Sequence, residues 1–221
     1  HYVAGMEGTL LEILGTSIQT YYKDYTSILV YNRDKLTSSD PDYVNGTGAS
    51  YGLELLLRYS SPRLNLYAAY TLAHTALSLG DFTYNPRYDR RHNLNLLSKV
   101  NVTEDISFTL RWELGSGFPF TQAIGVYDRL KLGDRFPLDY ESETGGPYLV
   151  LGDKNAARLP AYHRLDASFT YHFHLLGTQG VFSISVMNAY DRKNVFYFDR
   201  NTGQRVNMIP IFPSATLQMG Y

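Results

Sequence analysis

Tyr88-Asp89-Arg90-Arg91-His92 places a carboxylate, two guanidiniums and an imidazole in five consecutive residues, with Asp81 close by. Groups of these types do acid–base work when they converge on a scissile bond, as the Asp and His of a barrel protease would. The competing reading is that Arg90 and Arg91 pair with acidic loop residues and end a strand, and it is preferred. His172 and His174 share one strand face, with His163 near, but no cysteine and no carboxylate completes a metal-ligand set. The sequence therefore predicts no catalytic residue, no metal and no cofactor.

Two further groupings are candidates for binding. Arg111 with Glu113, and Arg164 with Asp166, alternate with apolar residues, as do Glu54, Arg58 and Lys99. Opposite charges on neighbouring strands form cross-strand pairs that hold a wall or meet whatever lies against it. Between Gly117 and Pro160 stand Phe118, Phe120, Tyr127, Arg129, Lys131, Arg135, Tyr140 and Tyr148. Rings and guanidiniums on an exposed loop suit capture of a large anionic or aromatic ligand by stacking, charge and hydrogen bonding. A solvated loop without special role remains open beside that reading.

These groups are positioned by strands. Successive strand side chains point to opposite faces, so a period of two marks a two-sided sheet. Tyr51, Leu53, Leu55, Leu57 and Tyr59 face one way, and Gly52, Glu54, Leu56 and Arg58 the other. An aliphatic row ending in Tyr at both ends matches a lipid face about 25 Å tall. The same alternation is found in Leu64–Leu72, Leu94–Val102, Ile106–Leu114, His163–Phe173 and Phe182–Val186, with a long strand from Leu14 to about Tyr31 after the tail of a first strand at His1–Gly8. Ile211, Pro213, Ala215, Leu217, Met219 and Tyr221 repeat it at the C-terminal end. The polar faces carry charges that a dry core would accept only at several kcal/mol each. A water-filled lumen accepts them.

Composition agrees. Twenty Tyr and 11 Phe accompany one Trp, and Tyr suits the aromatic girdles where a membrane meets water. Zero cysteines exclude disulfides and thiol chemistry, and a net charge of −1 gives no reason to expect nucleic acid. No run of apolar residues is long enough for a transmembrane helix, and no signal peptide is visible at His1. Tight turns at about 60–63, 103–105 and 176–180 alternate with long connections at about 32–45, 77–91 and 117–160, the last without strand period. A last hairpin tip lies near 199–205, after a bulge-like break at Asn188–Arg192. The predicted fold is an all-β, antiparallel transmembrane β-barrel of outer-membrane type. About nine strands are expected, the first partial; since bacterial barrels have even numbers, the chain reads as part of a larger one.

Several stretches together resemble the C-terminal barrel half of TonB-dependent outer-membrane receptors: His1–Glu7, Tyr21-Tyr22-Lys23, Gly48–Glu54, Tyr70-Thr71, Tyr88–His92, Gly117–Thr121, Arg158–Asp166, Met187–Val195 and Pro210–Tyr221. The resemblance implies a 22-stranded barrel holding a plug, residues 1–221 being its C-terminal portion, with neither plug nor TonB box in this stretch. It implies import of a siderophore or another large nutrient, outer-membrane lipid around the wall, and TonB engaged through the N-terminal part. Leu217, Met219 and Tyr221 would be read by the barrel assembly machinery as the closing strand. Tyr221 stands where the family usually has Phe. The alternative is a self-contained small barrel with an enzymatic, adhesive or structural role.

Overall fold

A computed structural model describes residues 1–32, 35, 37–130, 144–175, 177–199 and 202–220, and at 128–130 and 144–147 the backbone alone. The strands, in chain order, are β1 (Tyr2–Leu10), β2 (Leu14–Tyr31), β3 (Tyr43–Ser60), β4 (Leu64–Leu79), β5 (Phe82–Tyr84), β6 (His92–Asn101), β7 (Ile106–Gly115), β8 (Pro119–Phe120), β9 (Ala123–Leu130), β10 (Thr144–Leu151), β11 (Ala157–Arg158), β12 (Tyr162–Leu175), β13 (Thr178–Met187), β14 (Val195–Phe198), β15 (Arg205–Asn207) and β16 (Phe212–Gly220). Nine of them form one antiparallel sheet in the order β1-β2-β3-β4-β6-β7-β12-β13-β16, with β5 folded back on β4. The sheet does not close: among the described residues β1 and β16 each have one neighbour.

Register carries the two-sided pattern across the sheet without a slip from β3 to β12. One outward rung reads Met6, Ile18, Leu55, Tyr70, Leu94, Leu114, His163. Another continues Phe108, Phe169, Ile184, Ala215. The intervening rungs are polar, as in Glu7, Ser17, Leu56, Ala69, Asn95, Glu113, Arg164. A one-residue slip anywhere would have sent charges to the apolar side. The outward face leaves large side chains open, Leu110 by 50% and Leu217 by 62%. Exposed apolar surface on this scale marks an interface.

The strands are longer than a bilayer requires. β2 and β3 run 18 residues each, against the roughly 9–11 that span a membrane. Above a register irregularity between Tyr25 and Ile28, the extension gathers the chain's small buried apolar cluster: Val30, Leu77 and Tyr84, with Tyr25 and Ile28 against it. The core sits in this projecting part because along the rest of the sheet the large apolar side chains face outward and stay open.

Connections alternate as expected. Short ones join β1 to β2, β3 to β4, β6 to β7 and β12 to β13; long ones lie at the opposite end. The turn at Leu11-Glu12, both with positive φ of 53° and 61°, is an additional tight one. Three expectations need correction. The stretch 117–160, predicted without strands, contains a β9–β10 hairpin and a short β8–β11 pair; Ile124 and Val126 alternate with Gly125 and Tyr127, too few residues for the period to stand out. Of the turn expected at 176–180, Thr178 to Gly180 belong to β13, and Gly177 takes the φ of 82° that a tight reversal needs. Ile209 to Ile211, read as strand, precede β16: the Ile211 amide donates to Asp191 Oδ1 at 2.9 Å instead of joining the ladder.

Candidate functional site at the barrel mouth

At the end with the long connections, the β4–β6 and β7–β12 connections are tied together. The loop after β5 and the segments flanking β8 and β11 are tied at several points. Asn155, 9% exposed and with a positive φ of 56°, donates from Nδ2 to the Asn85 carbonyl at 2.9 Å and from its amide to Thr121 Oγ1 at 3.0 Å. Lys154 Nζ lies 4.1 Å from the Tyr84 ring centroid. Asp89, 2% exposed, accepts the Thr75 amide at 2.8 Å and is ion-paired to Arg158. Arg158 also donates to the carbonyls of Asp89 and Gly117 at 3.1 and 3.2 Å.

The Tyr88–His92 stretch thus divides its charges. Arg91 Nε lies 3.6 Å from Asp89, as the strand-ending reading expects. Arg90 differs: its guanidinium lies 4.2 Å from the Phe118 ring centroid and 5.6 Å from that of Tyr162. Gly115 makes room for it, since a Cβ there would meet the guanidinium at 2.6 Å. Arg90 Nη1 reaches Asn93 at 3.4 Å, and its buried Nε has no hydrogen-bond partner among the described residues. Burial pulls this guanidinium below its ordinary value, with Tyr162 and Glu113 opposing. His92 turns outward, its Nδ1 2.8 Å from the Tyr70 hydroxyl, so Asp89 and His92 do not converge and form no acid–base pair.

Below Arg90 the polar face descends through the expected charges. Tyr162 donates to Glu113 Oε2 at 3.2 Å. Glu113 faces Arg164 and Arg111 faces Asp166 across β7 and β12. Glu113 is ion-paired with Arg111, and Arg164 contacts Asp166 at 2.9 Å and Glu113 at 3.9 Å. Asp166 Oδ1 accepts the Asn188 amide at 2.9 Å. Two cations and two anions balance in this cluster, leaving Arg90 as an added positive charge above it. Arg58 lies apart, paired at 3.0 Å with Glu7, a partner not anticipated. Glu54 and Lys99 stand on the same face with no ion pair among the described residues. Toward the short-turn end the face is lined by hydroxyls, with Ser185 and Ser214 2.7 Å apart.

The aromatic candidates separate into packed and open ones. Phe118 is taken up by Arg90, and Phe120 stacks on Phe198 at 5.6 Å. Tyr127, half exposed, lies 5.2 Å from Tyr148 on the β9–β10 hairpin, beside open Ile124 and Val126. The Arg129 side chain, Lys131, Arg135, Tyr140 and Tyr221 lie outside the described residues. Among the described residues no three His, Asp or Glu side chains gather in metal-ligand geometry. Asp89, Arg158 and Asn155 were not singled out as a group. Their separation in sequence hides them, and only Asn155, in an Asp-Lys-Asn turn, carries a local signal.

No protein-family model matches the chain, and no curated protein matches it. Among solved structures, it is similar to the ferric-catecholate import receptor Fiu from Escherichia coli K12 in its closed form, with a TM-score of 0.61 and 17% identity. The match covers 99% of this chain and 27% of that one. The likeness shows the fold, that of a β-barrel wall. The chain spans about a quarter of the receptor's length, so the likeness assigns this wall its architecture and leaves ligand and energy source to other arguments. In a barrel wall of this fold the outward rungs form the outer side, the polar rungs the lumen side, and the loops tied by Asp89 and Asn155 the mouth.

Proposed function

We propose that this chain is the C-terminal wall and outer loops of a TonB-dependent importer in the bacterial outer membrane, taking up a siderophore-like or other large nutrient ligand. The observation that carries the reading is the mouth. Loops 69 residues apart are cross-braced by Asp89 and Arg158 and hold Arg90 above a charged lumen column, and the β7–β12 connection carries an aromatic hairpin. Similarity to a receptor that imports ferric catecholates supports the same reading. In this proposal Tyr127, Phe118, Phe120 and Arg129 serve capture: Tyr127 meets the ligand, Phe118 and Phe120 hold the loop bases, and Arg129 adds charge. The lumen charges Glu54, Lys99, Arg111, Glu113, Arg164 and Asp166 face a plug, and Arg58 is satisfied within the wall. Upstream strands of the same protein pair with the open edge of β1, and the barrel's first strand with β16. TonB acts through the plug-bearing part.

The two unpaired edges support this over a self-contained enzymatic or adhesive barrel, because lipid gives exposed N–H and C=O groups no partner, at several kcal/mol each. The test is uptake of a radiolabelled ferric tris-catecholate by cells carrying the whole protein. Uptake should require TonB and fall about tenfold or more in Tyr127→Ala/Tyr148→Ala with assembly intact, by loss of stacking. TonB-independent uptake, or no ligand retained from a panel of ferric chelates, cobalamin and oligosaccharides, would overturn it.

A further inference from the structure

The lipid-facing rim carries a cluster that neither the wall nor the mouth uses. His163 stands outward, opposite Leu114, with its Nδ1 2.6 Å from the Tyr190 hydroxyl. The Tyr190 ring lies 5.5 Å from the imidazole and the Trp112 ring 6.4 Å. Trp112 is the chain's single tryptophan. Aromatic rings with polar tips settle where acyl chains give way to headgroups, which places this trio at the outer interface.

The loop above it supplies charge. Arg192 and Lys193 follow Asp191, the loop's one acid, whose Oδ1 is taken by the Ile211 amide. The loop backbone is firmly held. Asn188, fully buried, accepts the Arg192 amide at 3.0 Å and donates to the carbonyls of Arg192 and Ile209 at 3.0 and 3.2 Å. Asn194 donates to the His163 carbonyl at 2.9 Å and accepts its amide at 3.2 Å. Arg192 Nη2 donates to the Ala161 carbonyl at 3.1 Å, and its buried Nε has no hydrogen-bond partner among the described residues. Lys193 is exposed. The rest of this rim differs. Tyr2, Tyr22, Tyr51 and His74 share one outward rung, but the adjacent Lys23 points to the other face, over the Tyr21 ring at 5.1 Å.

We propose that Arg192, Lys193, His163, Tyr190 and Trp112 form a binding site for the phosphate headgroup of an anionic outer-leaflet lipid. The phosphate accepts hydrogen bonds from Arg192 and Lys193, charge-assisted and partly shielded from water. Tyr190 and His163 border it, and the acyl chains run down past Trp112 and its cross-strand neighbour Leu165. This rests on the membrane-facing assignment of the sheet and not on the transport reading.

The whole outer-membrane protein bearing this chain, reconstituted with phosphatidic acid and phosphatidylcholine in equal parts and released gently for native mass spectrometry, tests the site. Wild-type protein should retain phosphatidic acid in preference to phosphatidylcholine. Arg192→Gln/Lys193→Gln should lower that retention about tenfold, and Lys23→Gln should leave it unchanged. Millimolar inorganic phosphate should not displace the lipid; displacement would assign the site to free phosphate and overturn the lipid assignment. Equal retention of both lipids, or no loss in the double variant, would also overturn it. If the double variant fails to assemble, Lys193→Glu, at an exposed position, replaces it under the same criteria.

Discussion

Asp89 and Arg158 meet in a buried ion pair although 69 residues separate them. The Asp89 carboxylate is almost without solvent contact, with side chains 1% and 30% exposed for the two partners. It joins the β4–β6 connection to the segment entering β12, so two mouth loops are held together.

Breaking that pair should be costly. Asp89→Ala is expected to destabilise the mouth by about 3–5 kcal/mol, because it leaves Arg158 without its carboxylate and the Thr75 amide without an acceptor. Limited proteolysis of intact cells checks it: the variant should be cut in 85–91 or 153–161 under conditions that spare the wild type.

A charge placed on the outward rungs should be tolerated far less than one on the inward rungs. Leu55→Arg and Leu110→Arg are expected to cost about 2–4 kcal/mol near the bilayer midplane, and Ser168→Arg much less. Urea titrations in lipid vesicles that ranked them the other way would reverse the face assignment.

The lumen cluster should be a weakly coupled one. Arg111 and Glu113 are 52% and 17% exposed at their side chains. A double-mutant cycle of Glu113→Gln with Arg111→Gln should therefore show a coupling of about 1 kcal/mol or less. A coupling of several kcal/mol would mean that the column is sealed from water.

Gly117 is expected to admit no side chain. A Cβ there would overlap the Leu159 carbonyl, next to the hydrogen bond from the Leu159 amide to the Phe118 carbonyl at 2.9 Å. Gly117→Ala should open the β8–β11 pair, read as faster amide hydrogen exchange at Phe118 to Phe120 and 157–159.

The final strand should act in assembly. Leu217 faces Phe182 and Met219 faces Gly180 on the outward side. Leu217→Asp/Met219→Asp, or deletion of Tyr221, should reduce the heat-modifiable barrel in the outer membrane at least several-fold. Normal amounts of folded barrel after either change would remove the terminal strand from the assembly role.

Period-two alternation by itself determined the strands of the main sheet, their two faces and the ends at which loops are long. Side chains in a strand must alternate, and lipid and water sort them without reference to distant residues. That is why Leu53, Leu55 and Leu57, or Arg111 and Glu113, were legible from local sequence. The mouth was decided by tertiary structure. Asp89 selects Arg158, Arg90 selects the faces of Phe118 and Tyr162, and Asn188 closes the loop before β16. Buried polar groups must find partners, and across loops of this length no spacing rule names them. Only the fold brings those partners within reach.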